Sequence, residues 1–357
     1  MTLIIAEAGV NHNGDQKIAM DLIDAAHQSG ADIVKFQTFK SENIATQFAK
    51  QAKYQQKNLQ KKSTQLEMLK SLELQYEFHY EIEEHCKKLG IEFLSTAFDF
   101  DSLNFLSKSF NFKRYKIPSG EINNGPFLLE HAKLGNEIIL STGMASVDEI
   151  QAALEVIAFG YLNNNEEPTL HNFRAAYQCN EGIKKIREKV TLLHCTSEYP
   201  APLEEVNLRA MLTLHDIFGL PVGYSDHSEG IFVPIAAASL GATVIEKHFT
   251  LDKKMTGPDH KISLEPHELS EMIKGIRSIE TALGSSEKKP TQSEIFNKAR
   301  VRKSLVALRT IKKGEAFSIN NLAIKRPGNG ISPFYYWELI GKISNRDYKE
   351  GELILKN

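Results

Sequence analysis

Eight short apolar runs, rich in β-branched residues and each followed by a helical pattern, constrain the fold of this chain more than any other feature. They lie at 3–8, 32–37, 92–97, 114–119, 137–142, 190–196, 221–226 and 243–249. A half-exposed antiparallel strand alternates apolar and polar residues. These runs are too apolar for that and suit parallel strands covered on their outer face by helices. Between the first two, Ile18, Leu22, Ile23, Ala25 and Ala26 recur at helical spacing, and Gly30 supplies a stop signal. Residues 148–159, after Ser146, read as another helix. Eight such units predict an α/β fold of the (β/α)8 TIM-barrel type over residues 1–284. A doubly wound sheet is the main competitor, but no Gly-rich dinucleotide loop follows the first run. The long polar stretch 160–189 reads as an insertion on the barrel rim.

Near Gly284 the pattern changes. Residues 284–290, Gly-Ser-Ser-Glu-Lys-Lys-Pro, have linker composition, so 285–298 is expected to be a linker. From 299 to 357 short strand signals at 304–307 and 322–327 alternate with turns, which predicts a small β-rich domain, marginal on its own. The net charge of −2 argues against a nucleic-acid footprint. The Lys- and Gln-rich stretch 53–62 is a local exception, read as a solvated face rather than a polyanion site. Cys86, Cys179 and Cys195 are too scattered for a disulfide framework or a Cys-rich metal site. The opening residues lack a basic region followed by a long apolar one, and no apolar run is long enough to span a membrane. A cytoplasmic protein without membrane or nucleic-acid partners is expected.

In such a barrel the chemistry sits at the C-terminal ends of the strands. All eight runs end in polar residues: Glu7, then Asn11, His12 and Asn13; Lys35 and Gln37; Ser95 and Thr96; Lys116, Ser119 and Glu121; Ser141 and Thr142; His194, Ser197 and Tyr199; Ser225 and His227; Glu246 and His248. Buried polar groups cost free energy unless they are paired or used, and eight polar ends at one mouth point to a site. Lys35 and Lys116, on non-adjacent strands, call for anions between them, as a phosphorylated carboxylate provides. Ser95, Thr96, Ser119 and Ser225 add hydroxyl donors. A Schiff-base lysine is the alternative chemistry, and lysines held by Glu7, Glu121 or Glu246 the structural one. His227 and His248 end neighbouring strands, so their imidazoles suit one divalent ion with open coordination positions; His12 and His194 are weaker candidates. Asp259 sits on the loop after the eighth strand, either as a turn residue or as a hydrogen-bonding partner for sugar hydroxyls.

The segments IIAEAGVNHNGD, VKFQTF, STAFD, YKIPSGE, STGM, HCTSEYPAP, YSDHS, EKHFT and GPDHKISLEP, in this order, resemble the sialic acid synthase family, and KRPGNGISP resembles its C-terminal antifreeze-like (SAF) domain. The resemblance covers nearly the whole chain. It implies a synthase that condenses phosphoenolpyruvate with N-acetylmannosamine and water and releases phosphate. It implies a divalent metal, typically Mn with Mg or Co also compatible, on His227 and His248. Phosphoenolpyruvate is expected on Lys35, Thr96, Lys116, Ser119 and Ser225, with Ser197 where members often carry Asn. The sugar is expected to meet Gln37, Tyr199 and Asp259. Asn13 stands where some members carry Glu. Glu121 matches an acid proposed to handle the attacking water, and Glu246 is a second candidate for that proton. Arg326 matches an arginine that reaches the N-acetyl group of the sugar from the small domain of a second copy, which implies a domain-swapped homodimer. A legionaminic acid synthase, which takes a 2,4-diacetamido-trideoxy sugar, is the alternative within the family. A non-catalytic barrel that binds a sugar phosphate or a partner protein is the alternative outside it.

Overall fold

The computed structural model describes residues 1–51, 55–56, 58, 64–162 and 166–356. The lysines of the 53–62 stretch lie outside the described residues. The chain divides into two compact units, Met1–Gly284 and Ser285–Asn357.

The first unit is a nearly closed eight-stranded parallel barrel: β1 (Leu3–Gly9), β2 (Ile33–Thr38), β3 (Glu92–Ala97), β4 (Arg114–Ile117), β5 (Glu137–Ser141), β6 (Val190–His194), β7 (Val222–Asp226) and β8 (Val244–His248). Hydrogen-bonded neighbours run β3-β2-β1-β8-β7-β6-β5-β4. At the seam β3 and β4 pack side by side. There Arg114 bridges Glu92 of β3 at 3.0 Å and Glu137 of β5 at 3.7 Å. Eight helices follow the strands in turn: α1 (Gln16–Ser29), α2 (Phe78–Leu89), α3 (Phe100–Ser109), α4 (Gly125–Lys133), α5 (Val147–Leu162), α6 (Ala210–Phe218), α7 (Phe232–Ser239) and α8 (Pro266–Leu283). Helix α1 shows how local sequence sets these boundaries. The Asp15 carboxylate accepts from the amides of Lys17 and Ile18, and Gly30 turns the chain out at φ 88°. Its buried face, which includes Ala19, Leu22, Ile23 and Ala26, is the one read from the sequence.

Strand parity divides the interior. One face of each strand joins the helices in the main core, through residues such as Ile4, Val34, Phe36, Tyr115, Leu140, Leu192, Tyr224 and Ile245. The other face points into the barrel. There Ile5, Ile33, Leu94, Ile139, Leu193 and Val244 form a separate apolar plug at the floor. One step further along each strand the inward residues turn polar.

The stretch 160–189 differs from expectation. Helix α5 runs on to Leu162, and two more helices, Leu170–Gln178 and Asn180–Lys189, lead into β6. Both pack against α5. The insertion thus occupies a helix-to-strand connection on the floor side of the barrel, away from the mouth.

In the second unit, β9 (Ser304–Ala307) and β10 (Leu322–Lys325) pair antiparallel around Leu305, Ala307, Ile311, Phe317, Leu322, Ile331, Tyr348 and Ile354. The expected linker 285–298 is corrected by helix α9 (Gln292–Val301), which starts at a reciprocal capping box between Thr291 and Glu294. The Thr-x-x-Glu signature was present in the sequence and was masked by the Gly/Ser/Lys composition before it. Among the described residues no helix is long and apolar enough to cross a membrane.

Candidate active site

The polar layer above the plug encloses a well of ≈ 310 Å³ lined by Glu7, Lys35, Thr96, Lys116, Ser225 and Glu246, among others. Register explains the convergence. Lys35 pairs with Leu94, Gln37 with Thr96, and Ser225 with Glu246, so these side chains share the inner face. Lys35 Nζ lies 2.7 Å from Glu7 Oε2 and 3.5 Å from Glu246 Oε2, and donates to Thr96 Oγ1 at 2.9 Å. Lys116 is less well matched: its ammonium is 3.6 Å from Glu246 Oε1. Ser225 donates to that same oxygen at 2.7 Å.

Burial governs the charges. It lowers the pKa of Lys116, and the pull of Glu246 only partly offsets it. Burial raises Glu7 despite Lys35 beside it. For Glu246 burial is outweighed by Lys116 and Lys35, which hold it ionised. The well therefore contains an ammonium with little compensation, an arrangement suited to an incoming anion.

Ser119 and Ser197 reach the well from the loops after β4 and β6. The Gly143 amide donates to Ser119 Oγ at 2.9 Å, and Cys195 Sγ lies 3.2 Å from that oxygen. Position 143 must lack a side chain: a Cβ there would collide with Ser197 Oγ and come within 2.8 Å of Ser119 Oγ and 2.9 Å of Cys195 Sγ. The Ser119 and Ser197 hydroxyls and the Cys195 thiol thus crowd together around Gly143 at the edge of the well.

His227 and His248 face each other at the rim of the well, ring centroids 5.8 Å apart. The Thr196 carbonyl accepts from His227 Nδ1 at 2.7 Å, which puts the proton on Nδ1 and leaves Nε2 as a lone pair. His248 Nδ1 is buried with no protein partner. Burial lowers both pKa values, and His227 lowers that of His248 further. Two neutral imidazoles with a buried unpartnered nitrogen fit a divalent cation. Among the described residues no cluster of three His, Cys, Asp or Glu side chains is arranged to hold an ion. An ion here would rest on two protein nitrogens and leave its other positions to water and substrate.

A second chamber of ≈ 350 Å³ shares Gln37, Phe98, Tyr199 and His248 with the well. Gln37 donates to Glu7 Oε1 at 3.0 Å. Tyr199 stacks obliquely on His227, 4.2 Å between centroids. Glu121 lines this chamber rather than the well, and Asn124 donates to its Oε2 at 2.7 Å. Asp259 Oδ1 is buried without a partner; burial, then the charge of Glu7, pushes that carboxyl up to about 7. One wall is apolar: Val10, Phe39, Met68 and Leu72 form a cluster of their own, backed by Ile44, Leu69 and Phe98. Helix Gln65–Leu72, capped by Thr64 and Glu67, carries much of it.

Other candidates lie elsewhere. Ser95 pairs in register with Phe36, so it faces outward and bonds Thr38 Oγ1 at 2.6 Å. His194 bonds the Val206 carbonyl at 2.8 Å. His12 Nδ1 accepts from the Gly14 amide at 3.0 Å, and burial takes its pKa down to about 3. Asn13 lines neither chamber; its amide donates to the Thr256 carbonyl at 3.0 Å and its Oδ1 meets His260 Nε2 at 3.2 Å, tying together the loops after β1 and β8. Arg326, in the second unit, donates from Nε to the Val301 carbonyl at 3.1 Å and is exposed. Glu7 and Cys195 line the well and Gly143 packs against its serines; Glu7 was expected only as a structural partner of the lysines, and the other two had no assigned role. Strand-end position was a usable signal for Glu7, whereas nothing local marked Gly143 and Cys195.

The NeuB family model matches residues 22–288 and the SAF domain model residues 302–357. The N,N'-diacetyllegionaminic acid synthase of Campylobacter jejuni is 53% identical over 99% of this chain and 98% of its own length. That of Legionella pneumophila is 45% identical over 99% of this chain and 93% of its own. The solved N-acetylneuraminic acid (sialic acid) synthetase of Leptospira borgpetersenii superposes with a TM-score of 0.66 at 33% identity, covering 83% of this chain and 90% of that one. With a barrel whose buried polar layer gathers two lysines and a set of hydroxyls, a matching family model over most of the chain and relatives of this closeness along its full length, the chain belongs to the NeuB family of sialic-acid-type synthases.

Proposed function

We propose that this protein is an N,N'-diacetyllegionaminate synthase, which condenses phosphoenolpyruvate with a 2,4-diacetamido-trideoxy hexose and water and releases phosphate. N-acetylmannosamine, the acceptor first expected, gives way to this sugar. The observation that carries the change is the second chamber, with the apolar wall of Val10, Phe39, Met68 and Leu72 beside the well. Relative to N-acetylmannosamine, the trideoxy sugar loses one hydroxyl outright and exchanges another for an acetamido group that carries a methyl. Each methyl buried there contributes about 0.8 kcal/mol, whereas a hydroxyl held unpaired against the wall costs about 1–3 kcal/mol. The two most identical relatives reported above carry the same activity in their names.

In this reading Lys35, Lys116, Ser119 and Ser197 hold the phosphate and carboxylate of phosphoenolpyruvate, and Thr96 and Ser225 fix Lys35 and Glu246. A divalent metal held by His227 and His248, Mn with Mg or Co also compatible, would supply Lewis-acid polarisation of the open-chain aldehyde. The methylene carbon of phosphoenolpyruvate bonds to the aldehyde carbon, water adds at the carbon that bears phosphate, and the bond to phosphate breaks. The two lysines offset negative charge throughout. Glu7 is a better acceptor for the proton of water than Glu246, because burial raises its proton affinity while two ammonium groups keep Glu246 ionised. Gln37, Tyr199, Asp259 and Glu121 face the sugar. The reaction belongs in the cytoplasm, where phosphoenolpyruvate is made. A homodimer in which Arg326 reaches the acceptor in trans is part of the same proposal. Mixing R326A with K116M tests it: activity recovered in the hybrid requires sites shared between two chains.

The deciding experiment supplies phosphoenolpyruvate with each sugar in turn and compares kcat/KM. A preference for N-acetylmannosamine refutes the legionaminate assignment, and turnover of neither sugar supports a non-catalytic barrel.

A further inference from the structure

The most deeply buried ion pair of the barrel lies outside both chambers. Lys247 Nζ is 2.5 Å from Asp226 Oδ2, and both side chains have 0% exposure. Neither residue lines the well or the sugar chamber, so neither touches substrate. Such a pair is expensive. Desolvating two ions costs several kcal/mol each, and an apolar pair of similar volume fills such space as well or better. Stability alone gives no reason for charges here.

The position of the pair does give one. Asp226 stands opposite Lys247 in the β7–β8 ladder, and the residue that follows each in the chain is a histidine of the rim, His227 or His248. Strand β7 ends at Asp226, so the ladder stops one step before His227. The buried pair extends the connection past that point. Asp226 Oδ1 accepts from the Ser228 amide at 3.0 Å and from Ser228 Oγ at 2.8 Å. Lys247 Nζ also donates to the Ser228 carbonyl. The residues on both sides of His227 are thereby fastened to the residue that precedes His248. With its flanks held, His227 directs Nδ1 at the Thr196 carbonyl and accepts from the Ala201 amide at its own carbonyl, 2.9 Å away.

We propose that Lys247 and Asp226 are positioning residues that set the separation and aim of His227 and His248, so that a divalent cation meets a preformed pair of nitrogens. The inference rests on the reading of the two histidines as a metal site. Outer groups of this kind are worth about 10–100-fold in metal affinity.

The test compares the full-length parent with D226L/K247M, which replaces both charges together and leaves neither buried alone. MnCl2 is titrated into each metal-free protein by calorimetry, and each is melted without metal. The expected result is a melting temperature close to that of the parent with a Kd for Mn weaker by about 10–100-fold. An Mn affinity within threefold of the parent overturns the proposal. So does a double variant that fails to fold or melts more than about 10 °C lower, since the pair would then serve the fold. If the parent itself binds no Mn, the metal reading falls and this inference with it, an outcome recognised by silence in both titrations.

Discussion

The unequal compensation of the two buried lysines leads to a quantitative prediction. Lys35 has Glu7 at 2.7 Å and Glu246 at 3.5 Å, and Lys116 has Glu246 at 3.6 Å. Replacing Lys116 by Met relieves the desolvation of an ammonium, worth several kcal/mol, and removes one modest attraction. Glu246 keeps Lys35 and the 2.7 Å bond from Ser225. The two effects nearly cancel, so K116M should melt within a few degrees of the parent. Replacing Lys35 by Met strands Glu7 with Gln37 as its remaining donor. Stranding a buried charge costs about 3–5 kcal/mol, or roughly 5–10 °C of melting temperature in a unit of this size. Catalysis should respond differently. In the proposed reading each lysine faces the anion, and losing one preorganised donor costs about 10²–10³-fold in rate. Both variants should therefore lose at least about 10²-fold in kcat/KM for phosphoenolpyruvate, read by phosphate release at saturating sugar, while K35M alone is destabilised. A K116M protein that is destabilised as much as K35M yet keeps kcat/KM within threefold would refute the idea that Lys116 is left undercompensated for the substrate.

Three further outcomes are expected. Asp259, raised to about 7 from an ordinary 3.8, binds a proton more tightly when folded, so its burial penalty is absent below the unfolded value and complete above the folded one. D259N should therefore gain in melting temperature over the parent as pH rises from 4 to 7 and hold that gain above 7, with a ceiling of about 4 kcal/mol at ~1.4 kcal/mol per unit; a pH-independent difference contradicts the burial argument. G143A should displace Ser119 and Ser197, raising KM for phosphoenolpyruvate and lowering kcat/KM by about 10²-fold, with little change in KM for the sugar. Chelation with EDTA should abolish phosphate release and added Mn should restore it; full activity in protein verified as metal-free removes the metal from the proposal.

Much of this site was legible because strand chemistry has a period of two. The triplets Ser225-Asp226-His227 and Glu246-Lys247-His248 each place two residues inward and one outward, and Lys35 and Gln37 share one face for the same reason. A polar residue at a strand end is not by itself an inward one: Ser95 and Thr96 both end β3, and register with Phe36 turns Ser95 away. Contacts between loops were beyond sequence altogether. Nothing near Gly143 announces that Ser119, Cys195 and Ser197 come from two other strand ends to crowd it. The apolar wall of the second chamber was equally hidden, since nothing in the sequence brings Met68 and Leu72, on a short helix, to Val10 and Phe39. Asp226 and Lys247 illustrate the remaining gap: their pairing follows from register, and their purpose only from where the ladder ends.

The helices Leu170–Gln178 and Asn180–Lys189 pack on α5 within the connection that enters β6 from the floor side. A change of length in this connection lies apart from the strand ends at the mouth, so the chain has a place to accept added or deleted segments away from the chemistry above. A fusion or tether attached to that connection would leave the mouth open, which makes it the natural handle for immobilising this enzyme or joining it to the one that makes its sugar.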